Sequence, residues 1–160
     1  EKDQIVIACT ANVCRSPMAE ALLKSALDAE GPPLSEFEVT SVGVSAFGGD
    51  PPSQNSVRAL KKVGLDISSH RSAPLNPEHL ERARYIFVMT SGHRDLVVNR
   101  HGTDLPIYLF REFHAPGQDA EIPDPYGMDL NAYQITRDAM VEAIPSVIEF
   151  IKNDLGVTAK

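Results

Sequence analysis

Apolar and polar positions alternate between two periods along the chain. Ile5–Ala8 is a short, continuous apolar run rich in β-branched residues, the pattern of a buried strand. It is followed by small and polar residues, and then by a segment with helical spacing over about Ser16–Ala29 (Met18, Leu22, Leu23, Ala26). Ser16 is predicted to cap this helix, with Pro17 at its first position, where a missing N–H costs nothing. Gly31-Pro32-Pro33 marks a turn, and a second strand is predicted near Phe37–Val44. Gly48-Gly49-Asp50-Pro51-Pro52 breaks the chain before a helical run through Val57, Leu60 and Val63 that ends at Gly64. A Pro-containing loop leads to a third strand, Tyr85–Met89, a short helix near Ser91–Asn99 and a fourth strand near Pro106–Phe110. Arg111–Asp129 is long, polar and punctuated by proline. The last helix is predicted over Leu130–Leu155, with Met140, Ile144, Val147, Ile148 and Ile151 on one face and Pro145 expected to kink it.

Strands alternating with helices predict an α/β fold: one domain over residues 1–160, a four-stranded parallel sheet with helices on both faces. Ligands bind beyond the carboxyl ends of the strands in such sheets. The loops after the first strand, after Val44 and after Phe110 could therefore converge on one cleft. The formal charge of −7 argues against general nucleic-acid binding, which calls for a basic surface, but leaves room for a local anion site built from backbone dipoles. No apolar run approaches membrane-spanning length, and no signal-peptide pattern precedes the first strand. The two cysteines form no CxxC pair or disulfide framework, so the expected compartment is the reducing cytoplasm. The sequence starts at Glu1 rather than methionine, which fits trimming or excision from a longer chain.

Candidate chemistry concentrates at Cys9-Thr10-Ala11-Asn12-Val13-Cys14-Arg15-Ser16-Pro17. A cysteine at a strand end, a five-residue loop and an arginine at a helix mouth have a joint meaning. Successive amides in a tight loop leading into a helix N-terminus make a concavity that attracts anions. A thiol on its floor shares that field, which favours the thiolate, the nucleophilic form. Arg15 adds a planar fork of donors for two phosphoryl oxygens. These groups together point to phosphoryl transfer to sulfur.

The Cys9-x5-Arg15-Ser16 pattern, with Asn12 and Cys14 inside it, Pro17 after it and a strand before it, resembles the signature of the low-molecular-weight protein tyrosine phosphatases. Thr10 to Cys14 and Ser16 then form the phosphate-binding loop. Ile122-Pro123-Asp124-Pro125-Tyr126 resembles the family's late Asp-Pro-Tyr segment, which makes Asp124 the general acid, with Asp119 as the fallback. Glu121 and Asp129 read as a solvated face. The resemblance also implies Phe47 and Tyr126 as walls of a slot deep enough for a phenyl ring. It implies Ser41 and His70 as supports that orient Asn12, and Ser16 as a hydroxyl donor to the thiolate. Val13 stands where related arginine phosphatases resemble threonine, which favours tyrosine phosphate. Ala11 replaces a frequent glycine, and Thr90 a frequent aspartate; a left-handed backbone at Ala11 would strain the loop. Cys14 is either a small buried filler or a thiol that traps oxidised Cys9 as a disulfide.

The function expected is a metal- and cofactor-independent phosphotyrosine phosphatase acting through a phosphocysteine on tyrosine-phosphorylated proteins. Inorganic phosphate or other oxyanions would be product or inhibitor. His79, His93, His101 and His114 show no metal-ligand spacing. The alternatives are arsenate reductase, which relays through further cysteines absent after Cys14, protein arginine phosphatase, and a non-catalytic module that binds phosphate or phosphoproteins.

Overall fold

The computed structural model describes residues 2–114 and 120–157. Four parallel strands form one sheet in the order β2-β1-β3-β4: β1 Gln4–Cys9, β2 Glu38–Gly43, β3 Ala83–Val88 and β4 Ile107–Leu109. Helices α1 (Arg15–Glu30), α2 (Gln54–Lys61), α3 (Pro77–Arg82), α4 (Ser91–His101) and α5 (Leu130–Leu155) lie between and after them. Every residue of β1 is buried, as expected of a central parallel strand covered on both faces. Its alternate side chains feed two cores. Ile5, Ile7 and Cys9 pack with Met18, Leu23, Leu60, Phe87, Met140 and Val147 under α1, α2 and α5. Val6 and Ala8 pack with Val42, Leu80, Ile86, Val88 and Val97 on the side of α3 and α4.

The predicted elements are present, and several local expectations change. Helix α1 begins two residues before the position a Ser16 cap implies, with Cys14 as its N-cap and no capping side chain. Ser16 is thus inside the first turn, its hydroxyl turned to the sheet rather than to its own helix. The region read as a Pro-containing loop holds α3, a short helix opened by Pro77 and a reciprocal capping pair between Asn76 and His79. Pro145 lies within α5, which remains helical through it. Asp129 is not merely solvated: it caps α5, accepting from the Ala132 amide at 3.0 Å.

Candidate active site

The parallel sheet delivers Cys9 at the carboxyl end of its central strand, and residues 10–14 curl from there into α1. The carbonyls of this loop are held outward by neighbouring segments. Val44 N–H donates to Cys9 O (2.8 Å), Ser45 N–H to Thr10 O (2.9 Å) and Ser53 N–H to Val13 O (2.8 Å). His70 Nε2 donates to Asn12 O at 3.0 Å and the Ser56 hydroxyl to Cys14 O at 3.3 Å. In a planar trans peptide the N–H points opposite to the C=O. Tying the carbonyls outward therefore turns the loop's amides inward, the arrangement an anion needs.

Asn12 is the keystone of this curl. It is fully buried and has φ of 61°, the one non-glycine residue with positive φ among those described. The left-handed backbone lies at Asn12, not at Ala11, so alanine at position 11 carries no such strain. Asparagine tolerates this region better than most residues. Its amide Nδ2 donates to Ser16 Oγ (2.7 Å) and Ser41 Oγ (3.0 Å), and its Oδ1 accepts from Ala73 N–H (2.9 Å). Ser16 Oγ also lies 2.9 Å from Cys9 Sγ and 3.3 Å from Val42 O. Because Asn12 donates into that oxygen, the single hydroxyl hydrogen goes to the sulfur or to the carbonyl, and the sulfur is nearer.

A cavity of about 190 Å³ opens over the thiol, lined by Cys9, Thr10, Ala11, Val13, Cys14, Arg15, Asp124 and Tyr126. The Arg15 guanidinium is buried in its wall, donating through Nη1 to Ile122 O (2.9 Å) and through Nη2 to Thr10 Oγ1 (3.2 Å). Asp124 approaches the same guanidinium, with Oδ2 at 3.6 Å from Nη2 and Oδ1 accepting from Tyr126 N–H at 3.1 Å. The Ile122 peptide places this carboxylate: its N–H donates to Met89 O at the end of β3 while its C=O receives Arg15. Phe47 stands almost wholly in solvent (97 % exposed) and does not line the cavity; it is neither a core residue nor, in this conformation, a wall. Asp119 lies outside the described residues. Cys14 Sγ meets Tyr133 Oη (3.4 Å) and Ser53 Oγ (3.5 Å); burial pushes its thiol pKa up, and both cysteines are free.

Three contributors escape a reading of the chain alone: the Ile122 peptide, Tyr133 behind Cys14, and His93. His93 is buried on the first turn of α4, with Nε2 2.9 Å from Thr10 Oγ1 and Nδ1 3.3 Å from Thr90 Oγ1. Burial and the adjacent Arg15 push its pKa down to about 4. A lone histidine after a strand carries no local signal; only the adjacency of β3 to β1 brings it to the loop. Among the described residues, no group of three or more His, Cys, Asp or Glu side chains could hold a metal ion. No helix among them is long and apolar enough to cross a membrane.

The family model for low molecular weight phosphotyrosine protein phosphatases matches residues 4–157. The chain belongs to this family. The phosphatase is 34 % identical to a protein-arginine-phosphatase of Geobacillus stearothermophilus, over 94 % of this chain and 97 % of that protein. It is 33 % identical to a probable low molecular weight protein-tyrosine-phosphatase, EpsP, of Ralstonia nicotianae, over 81 % and 83 % of the two chains. Among solved structures, the low molecular weight protein tyrosine phosphatase of T. tengcongensis superposes with a TM-score of 0.84 at 35 % identity, over 92 % of this chain and 98 % of that one. The phosphatase is accordingly a phosphoric monoester hydrolase whose relatives act as tyrosine or arginine phosphatases.

Proposed function

We propose that the phosphatase hydrolyses phosphotyrosine in proteins by way of a phosphocysteine at Cys9. The observation that carries this is the common cavity, lined by Cys9, Arg15 and Asp124, over a loop whose carbonyls are tied to neighbouring segments. In the first step the Cys9 thiolate attacks phosphorus. The S–P bond forms, the P–O bond to the tyrosine breaks, and Asp124 gives its proton to the departing phenolate oxygen. Arg15 exchanges its contact with Asp124 for two phosphoryl oxygens, and the loop amides take the remaining negative charge. In the second step Asp124 removes a proton from water, which attacks phosphorus, and the S–P bond breaks. Ser16, 2.9 Å from the sulfur, stabilises the thiolate as it returns.

Substrate choice turns on Val13 and Tyr126, both in the cavity lining. Valine offers no hydroxyl to a guanidinium, and the apolar lining with a tyrosine at the rim suits a phenyl ring. Phosphoarginine is the second reading, favoured by the 34 % identity to the Geobacillus stearothermophilus enzyme. An arsenate relay has too few cysteines, and mere phosphate binding requires neither a thiol nor an acid.

Turnover of p-nitrophenyl phosphate in the presence of chelator tests the mechanism. Cys9→Ser is expected to abolish it, and Asp124→Asn to lower kcat by about 10²–10⁴-fold, the usual worth of a positioned general acid. Arg15→Lys is also expected to fail, because an ammonium cannot make the bidentate clamp. Full activity in the serine variant refutes the mechanism, and a phosphopeptide panel on which phosphoarginine outcompetes phosphotyrosine refutes the substrate.

A further inference from the structure

His93 is a buried titratable side chain beside this site that the proposed chemistry does not use. It stands behind the loop wall rather than in the cavity. Its ring joins a continuous line of polar groups: Arg15 Nη2 donates to Thr10 Oγ1 at 3.2 Å, Thr10 Oγ1 meets His93 Nε2 at 2.9 Å, and His93 Nδ1 meets Thr90 Oγ1 at 3.3 Å. Arginine has donors only, so Thr10 Oγ1 must accept from it. The hydroxyl has one hydrogen of its own to place. A hydroxyl oxygen has two lone pairs, but an N–H at Nε2 would bring a second hydrogen against the charged guanidinium's own. At Thr90 Oγ1 the ring N–H joins only a neutral backbone N–H. The favoured arrangement therefore has a lone pair at Nε2 take the threonine hydrogen.

We propose that His93 is a positioning residue for Arg15, acting as a neutral Nδ1–H imidazole that receives the Thr10 hydroxyl hydrogen and so keeps the Thr10 oxygen turned to the guanidinium. The donors then all run one way, from Arg15 through Thr10 and His93 to Thr90, and each bond polarises the next. Thr90, which also caps α4 by accepting the His93 backbone N–H at 3.3 Å, anchors the far end. The groups facing the ring are Arg15 from α1 and Asp124 and Glu121 from the segment that follows β4. Burial and Arg15 favour the neutral ring, while the two carboxylates oppose them; the low pKa of about 4 keeps the ring neutral at neutral pH, so that one of its nitrogens has a lone pair to offer. When Asp124 turns from Arg15 to a leaving group, the Thr10 oxygen and Ile122 O remain to hold the fork in plane.

This inference rests on Arg15 being the phosphoryl clamp, so the decisive measurement is phosphate binding, which needs no turnover. Titration calorimetry with inorganic phosphate is expected to give about a tenfold weaker affinity for His93→Ala, with kcat/KM for p-nitrophenyl phosphate falling by a similar factor. The Gln amide reaches the place of Nε2 and the Asn amide only that of Nδ1. His93→Gln should therefore recover to within about threefold of the parent while His93→Asn behaves as alanine. Thr10→Val should cost about as much as His93→Ala, and the double variant no more than either, since both cut one line. Unchanged phosphate affinity in folded His93→Ala, or losses that multiply in the double variant, would overturn the proposal. Nitrogen-15 shifts of the unaltered protein supply an arm independent of folding: a protonated Nδ1 supports it and a protonated Nε2 sinks it. A parent protein that binds phosphate but does not turn over the ester would instead count against the hydrolytic mechanism alone.

Discussion

Lowering the pH from about 7.5 to about 5 should destabilise this protein through His93, and the size of the effect follows from its burial. Its pKa drops from 6.5 to about 4 on folding, chiefly because burial removes the water that would solvate an imidazolium, with Arg15 adding to the cost. The unfolded chain therefore binds a proton that the folded chain refuses between these two values. Stability is complete above 6.5 and declines as the pH falls through the window toward 4. At pH 5 the deficit is about 1.5 units below the unfolded value, or about 2 kcal/mol at 1.36 kcal/mol per unit. With a urea slope of about 2 kcal/mol per molar, the midpoint should fall by about 1 M. His79 is also depressed by burial and contributes in the same direction, so the assay compares the parent with His93→Gln at both pH values. The His79 contribution cancels in that difference. The carboxylates held below their usual range by hydrogen bonds, Glu121 to Ser91 and Asp154 to Tyr85, lose their stabilisation as the pH falls too, but below about 4.5. Equal losses of midpoint in the parent and in His93→Gln between pH 7.5 and 5 would refute the claim that the ring is buried neutral.

Gly43→Ala probes how closely β2 supports the phosphate loop: an added Cβ would lie 2.7 Å from Thr10 O and from Ala46 Cβ, and 2.9 Å from Ala11 C. The loop backbone must yield, so kcat/KM for p-nitrophenyl phosphate should drop by about 10²-fold for a stability loss of about 1–3 kcal/mol, read by kinetics and thermal unfolding. A fully active variant would mean the loop tolerates that displacement. Asn12→Ala removes three buried side-chain hydrogen bonds at a left-handed residue and should cost about 3–4 kcal/mol in urea unfolding. Asn12→Gly loses the same bonds without the backbone penalty and should be milder by about 1–2 kcal/mol, so equal losses would remove the strain component.

What the chain determines by itself is local and covalent. The apolar runs at Ile5–Ala8 and Tyr85–Met89 are set by burial on both faces of the sheet and the helical spacing of the last segment by burial at a period of 3.6, and such patterns survive without knowledge of any partner. The Cys9-x5-Arg15 spacing is equally local: five residues between a strand and a helix leave the loop few ways to close, and the thiol and guanidinium arrive together. Ser16 shows where local reasoning misleads. As a sequence neighbour of Pro17 it reads as a helix cap, but the sulfur and Asn12 claim its hydroxyl once the sheet is assembled.

Tertiary structure decides whatever depends on strand order and on groups distant in sequence. Placing β3 beside β1 brings His93 to Thr10, and the end of β3 holds the Ile122 peptide, which in turn sets Asp124 against Arg15. The anion cradle is itself nonlocal, since its amides face inward only because Val44, Ser45, Ser53, Ser56 and His70 pull the carbonyls outward. Periodicity encodes which face of an element is buried. It does not encode which main-chain oxygen a remote hydrogen will find, because that follows from packing the whole sheet.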